Sequence, residues 1–83
     1  MKKTVQVETT LEIEVVNPDF FSEEFFTEFN RHFYDIDPTV EAHLENLASL
    51  YVYLGAPRFI EGYGELKNLV KIKHENSYAY IQD

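Results

Sequence analysis

Apolar and polar residues alternate along residues 4–16. Val5, Val7, Thr9, Leu11, Ile13 and Val15 fall on one side, and Thr4, Gln6, Glu8, Thr10, Glu12 and Glu14 on the other. A period of two predicts a long strand with one buried face. Asn17-Pro18 ends it, because proline brings no N–H to a ladder and turns the preceding residue away from helix. The period then changes. Phe25, Phe29 and Phe33 recur at i, i+4 and i+8, with Phe26 widening the stripe and Glu24, Glu28 and Arg31 on the far side. This predicts a helix of about three turns with Ser22 as N-cap and Glu23 and Glu24 in the first turn, where carboxylates favour the positive helix end.

Asp37-Pro38 predicts a second N-cap followed by proline at the first helical position. Val40, Leu44, Leu47, Tyr51 and Leu54 carry that helix about five turns to Gly55 as C-cap, with Pro57 beyond. Residues 58–65 have turn-forming glycines and no clear period, which predicts an ordered loop with at most a short strand or one helical turn. Leu69 to Lys73 alternates again, Glu75-Asn76-Ser77 reads as a hairpin turn, and Tyr78 to Ile81 as a last strand. The expected architecture is one α+β domain over residues 1–83, in the order β-α-α-β-β. Its three-stranded, mostly antiparallel sheet would be covered on one face by two helices.

Composition narrows the class. The 83 residues carry a net charge of −8, and 45% are apolar, with seven Phe and six Tyr as core material that an acidic disordered tail would lack. Without cysteine there is no disulfide framework and no thiolate metal site. No apolar segment follows Met1-Lys2-Lys3, and the longest uncharged stretch, Asn46 to Pro57, is shorter than the roughly 18 residues of a membrane span. The expectation is a cytoplasmic protein that does not engage membranes.

The charge is unevenly placed. Residues 1–16 sum to −1 and residues 66–83 to +1, whereas residues 17–65 hold ten acidic side chains against Arg31 and Arg58, a net −8. In the strands, Glu8, Glu12 and Glu14 can stand across from Lys71 and Lys73, each opposed pair contributing about 0.2–1 kcal/mol. In the helices, Glu24 with Glu28 and Glu41 with Glu45 are like-charged i, i+4 pairs, which oppose helix stability by a few tenths of a kcal/mol. Carboxylates one helical turn apart lie about 6 Å from each other, near the phosphate spacing of a nucleic-acid strand. Such a surface attracts a basic groove, and it serves equally as a solvated face that keeps the protein soluble. Direct nucleic-acid binding is disfavoured, because Lys67, Lys71 and Lys73 form only a small basic patch and are assigned to strand glutamates.

Catalytic motifs are missing. His32, His43 and His74 have no metal-ligand spacing and read as surface or helix-packing residues; a metal would need them to converge with Asp35 or Asp37. Ser22, Ser49 and Ser77 read as a cap, a helix surface position and a turn, and Gly62-Tyr63-Gly64 as a turn rather than a phosphate loop. No cofactor, metal or enzymatic activity is expected. Tyr63, at a glycine-flanked loop tip, is a candidate contact residue. Tyr78 and Tyr80 lie on the open sheet face if Ala79 and Ile81 point to the core, and inside if the alternation runs the other way.

The segments Ser22-Glu23-Glu24-Phe25-Phe26-Thr27-Glu28 and Val40-Glu41-Ala42-His43-Leu44-Glu45, in a short acidic chain without cysteine, resemble the small phage and mobile-element proteins of the anti-CRISPR and DNA-mimic inhibitor kind. The resemblance implies a protein that binds a host defence or nucleic-acid-processing complex through that complex's basic surface. The expected partner-binding residues are Glu23, Glu24, Glu28, Glu41, Glu45 and Tyr63, on a monomer or homodimer. The alternative is a small interaction domain, again phage or prophage accessory in character, that pairs through its sheet edge, with the strand ending at Asp83 as the open edge.

Overall fold

A computed structural model describes residues 1–82; Asp83, and with it the expected end of the open edge, lies outside them. The alternating stretch forms β1 (Val5–Val15). Ser22 caps α1 (Glu23–His32) by accepting the Phe25 N–H on its hydroxyl at 3.1 Å, as expected. The second helix, α2 (Val40–Tyr53), starts later than Asp37-Pro38 predicts. Thr39 is its N-cap, extended at φ −134° and ψ 152°, with Oγ1 accepting the Ala42 N–H at 3.1 Å. Thr39 satisfies the orphan amide itself, so the Asp37-Pro38 pair is left in the link. At the other end Gly55, at φ +75°, follows the capping Leu54. Its N–H reaches the Val52 carbonyl and that of Ala56 the Tyr51 carbonyl, a Schellman closure.

Residues 58–65 contain two short strands, β2 (Phe59–Ile60) and β3 (Gly64–Glu65), paired antiparallel. A 3-10 turn, Leu66–Asn68, leads into β4 (Val70–Ile81). The expected three-stranded sheet is corrected here. The described residues form two antiparallel sheets of two strands each, β1 with β4 and β2 with β3. The Glu75-Asn76-Ser77 segment does not turn; β4 runs through it as one 12-residue strand.

The reason lies in the register. Glu14 faces Lys71, Glu12 faces Lys73 and Leu11 faces His74, but Thr10 faces Asn76, so Glu75 is an extra residue on β4. Such a bulge changes which side successive residues occupy. Before it, Val70, Ile72 and His74 share a face with Val15, Ile13 and Leu11; after it, Ser77, Ala79 and Ile81 share that same face with Thr9, Val7 and Val5. The broken alternation that reads as a turn in the sequence is absorbed by one residue without reversing the chain.

The core gathers under one half of this ribbon. Phe21, Phe29, Leu47, Ile60, Tyr63, Leu66, Leu69 and Val70 are buried, with Ile13, Val15, Ile72 and the inner sides of both helices packed against them. The α+β class is therefore observed, while the helices cover only the inner part of the ribbon. The molecule is elongated, 50 × 25 × 19 Å.

Candidate functional site

The α1 acidic row begins where the Ser22 cap turns the chain into helix. Glu23, Glu24 and Glu28 are all exposed. Glu28 is already engaged one turn further on: Arg31 donates to its carboxylate at 3.3 Å and His32 Nε2 lies 3.1 Å from it. That arrangement relieves the Glu24–Glu28 repulsion and places His32 on the surface. On α2, Glu41 and Glu45 are exposed one turn apart. Among the described residues no ion pair engages Glu23, Glu24, Glu41 or Glu45.

Tyr63 is not a surface anchor. It is only 3% exposed, and its hydroxyl lies 2.7 Å from Nδ1 of His43, itself fully buried. The amide of Asn46 donates to the same hydroxyl at 2.9 Å, and Tyr34 donates to the Asn46 carbonyl at 3.1 Å. The Tyr63 hydroxyl accepts from Asn46, and its contact with His43 Nδ1 runs in the direction the imidazole tautomer sets. Nε2 has no hydrogen-bond partner. The rings of Phe21, Phe25, Phe26, Phe29 and Tyr63 surround the imidazole at centroid distances of 4.9 to 6.2 Å. Burial lowers the His43 pKa below its ordinary value. Burial likewise pushes the Tyr63 pKa up to about 12, against an opposing effect of the Asn46 hydrogen bond.

Two features seat this loop residue inside. Gly62 is at φ +94°, and a Cβ there would stand 2.8 Å from Phe29 Cε2 and 3.2 Å from Phe33 Cε2, so the backbone can lie against the phenylalanines only as glycine. His43 supplies the polar end that a buried tyrosine needs. Its position was visible in the sequence, three residues after Val40 and four before Leu47, within the apolar stripe of α2.

The outer ribbon carries the other exposed constellation. Tyr78 and Tyr80 lie on the open face, with ring centroids 6.2 Å apart in a stacked arrangement. Both donate to the Glu8 carboxylate, at 2.6 and 3.1 Å. The Glu8 hydrogen bond raises the Tyr78 pKa. Gln82 and Gln6 are hydrogen-bonded on the same side. At the bulge, Glu75 raises the Glu12 pKa through a side-chain hydrogen bond and through charge repulsion. Lys71 and Lys73 face Glu14 and Glu12 as expected, whereas Lys67 pairs instead with nearby Glu65 at 3.6 Å.

Clefts on this surface are shallow. One of about 540 Å³ runs between Tyr51, Pro57, Arg58, Glu65, Leu66 and Lys67. Among the described residues no group of three or more His, Asp or Glu gathers to hold a metal. No described helix is long and apolar enough to cross a membrane. The exposed carboxylates of α1 and α2 and the outer ribbon are therefore the two candidate contact surfaces. Compared with protein families, curated proteins and solved structures, the chain matches none.

Proposed function

We propose that this is a non-catalytic interaction protein whose acidic helices dock on a basic, nucleic-acid-binding groove of a partner protein and exclude DNA or RNA from it, in the manner of an anti-CRISPR-like inhibitor. The observation that carries this reading is the placement of charge. The net −8 of residues 17–65 includes Glu23, Glu24, Glu41 and Glu45, all exposed and none in an ion pair among the described residues. Carboxylates held a turn apart on folded helices need little reordering on binding, and a basic groove supplies the countercharge that the chain itself omits. Glu28 contributes less, because Arg31 and His32 already hold its carboxylate.

A tagged pull-down from lysate of the source organism or its host, eluted in rising salt, tests the reading. The expected result is a nucleic-acid-binding complex released between low and moderate salt, because exposed charge is screened over about 10 Å at 0.1 M. The double variant Glu41→Lys/Glu45→Lys should reduce capture severalfold while its melting curve stays cooperative. Capture that ignores both salt and these substitutions would remove the electrostatic mechanism. A second reading, association through the ribbon, is favoured by the uncovered apolar face described next.

A further inference from the structure

The outer ribbon, Val5–Thr10 with Asn76–Ile81, presents Val5, Val7, Thr9, Ser77, Ala79 and Ile81 on the face that continues the core side. No described residue seals that face: Val5 is 52% exposed, Val7 63% and Ile81 60%. Beside it runs a groove of about 410 Å³ between Val7, Thr9 and Leu11 of β1 and Ala48, Ser49, Val52 and Tyr53 of α2. Tyr53, 81% exposed, stands at its rim.

Three observations say what covers this surface. The first is area. The chain exposes 6313 Å², whereas a compact monomer of its 9.8 kDa mass exposes about 5,200 Å². The surplus of about 1,100 Å² exceeds the roughly 800 Å² per partner that a standard interface buries. The radius of gyration agrees, at 14.9 Å against about 12 Å for a compact domain of this length.

The second is charge. A second copy also carries −8, so it can approach closely only where charge is lacking. Neither the apolar ribbon face nor the groove lining contains an ionisable carboxylate, lysine or arginine. The third is shape. The same face holds both a protruding element, the outer ribbon with Val5, Val7 and Ile81, and a receiving one, the groove beside Val52 and Tyr53. With both halves of the fit on one face, two copies can meet about a two-fold axis, the ribbon of each entering the groove of the other.

We propose that this face joins two copies of the chain, the outer ribbon of each lying in the groove between ribbon and α2 of the other, with Tyr53 as the buried anchor. The contact adjoins the acidic residues of α2 at Glu45, one helical turn before Ser49, but Val7→Lys lies on β1 and alters none of them, so the contact's failure and the failure of the acidic docking surface are separable. It also responds to salt in the opposite sense. Screening reduces the repulsion between two −8 chains, so self-association strengthens as salt rises while docking on a basic partner weakens.

Sedimentation velocity across micromolar concentrations, at low and high salt, decides the matter with three purified proteins. The wild-type chain is expected to sediment as a dimer. Val7→Lys, which puts a charge on the joined face, should weaken the dimer more than about tenfold. Thr10→Lys, on the opposite face of the same strand, should leave it unchanged, and circular dichroism melts should show both variants folded. A monomer at every concentration would overturn the proposal, as would equal effects of the two lysines. Growth beyond the dimer would also overturn it, because that is the signature of pairing along the open strand edges.

Discussion

The inner and outer halves of the ribbon are built from the same two strands with the same alternation, yet they meet different surroundings. Inside the Glu75 bulge, Val70 belongs to the core with Leu47, Leu66 and Phe29, and Ile13, Val15 and Ile72 pack against it. Outside it, Val5, Val7, Ala79 and Ile81 keep their common side but stand exposed, Val7 at the open groove beside α2. An apolar residue every second position is thus enough to make a strand, but not enough to say what will cover it. Two strands alone are marginally stable in water, so the outer half depends on its cross-strand pairs. Its open side shows them: Tyr78 and Tyr80 stacked and hydrogen-bonded to Glu8, and Gln6 bonded to Gln82.

The strongest way to break this contrast is to remove packing beneath the inner half. Leu47 is fully buried, and Leu47→Ala should lower stability by about 2–5 kcal/mol in a denaturant melt. Amide exchange should separate the halves almost as sharply. In dilute protein the outer amides should exchange about a hundredfold faster than those of residues 11–15 and 70–73, and uniform protection would erase the distinction.

Acidity acts on the buried core through His43. Folding disfavours the charged form of His43 by burying it, with Tyr63 the titratable group facing it and Tyr34 linked through Asn46. Below pH 6.5 the unfolded chain takes up a proton there that the folded chain resists. Stability should therefore fall as the pH drops through 6.5 toward the lowered folded value, by at most about 1.4 kcal/mol per pH unit from this residue. Denaturant melts between pH 7.5 and pH 5.5, bracketing the ordinary pKa by about one unit, should lose that slope in His43→Gln and keep it in His32→Gln. Smallest of all should be Thr10→Ala, exposed on the outer half, within about 0.5 kcal/mol of the parent.

Elements fixed by local chemistry were legible in the sequence. The β1 alternation, the Ser22 cap, the phenylalanine stripe and the left-handed Gly55 all stand where pattern and cap chemistry put them. The α2 start was misplaced because two adjacent segments, Asp37-Pro38 and Thr39, both carry capping chemistry, and backbone geometry chose between them. The bulge was misread because a polar Glu-Asn-Ser run satisfies a turn and an extra strand residue alike; only the partner strand decides. Of the candidate site, the exposed glutamates were placed correctly. Glu28 turned out to be engaged by Arg31 and His32. Tyr63 was misplaced because flanking glycines signal a turn but not its direction, and His43 was waiting inside with a nitrogen for the hydroxyl.

The pairing of β1 with β4 has a consequence for how the chain comes to be folded. Partners along the ribbon are 55 to 76 positions apart, from Val15 with Val70 to Val5 with Ile81. Helices close their bonds locally and early, but every rung of this ladder must wait for closure of a loop longer than half the sequence. During synthesis β1 emerges first and its partner long afterwards, so its valines and unpaired amides stay available to other chains for most of that interval. Glu8, Glu12 and Glu14, spaced along its other face, keep nascent strands from adding to one another while they wait.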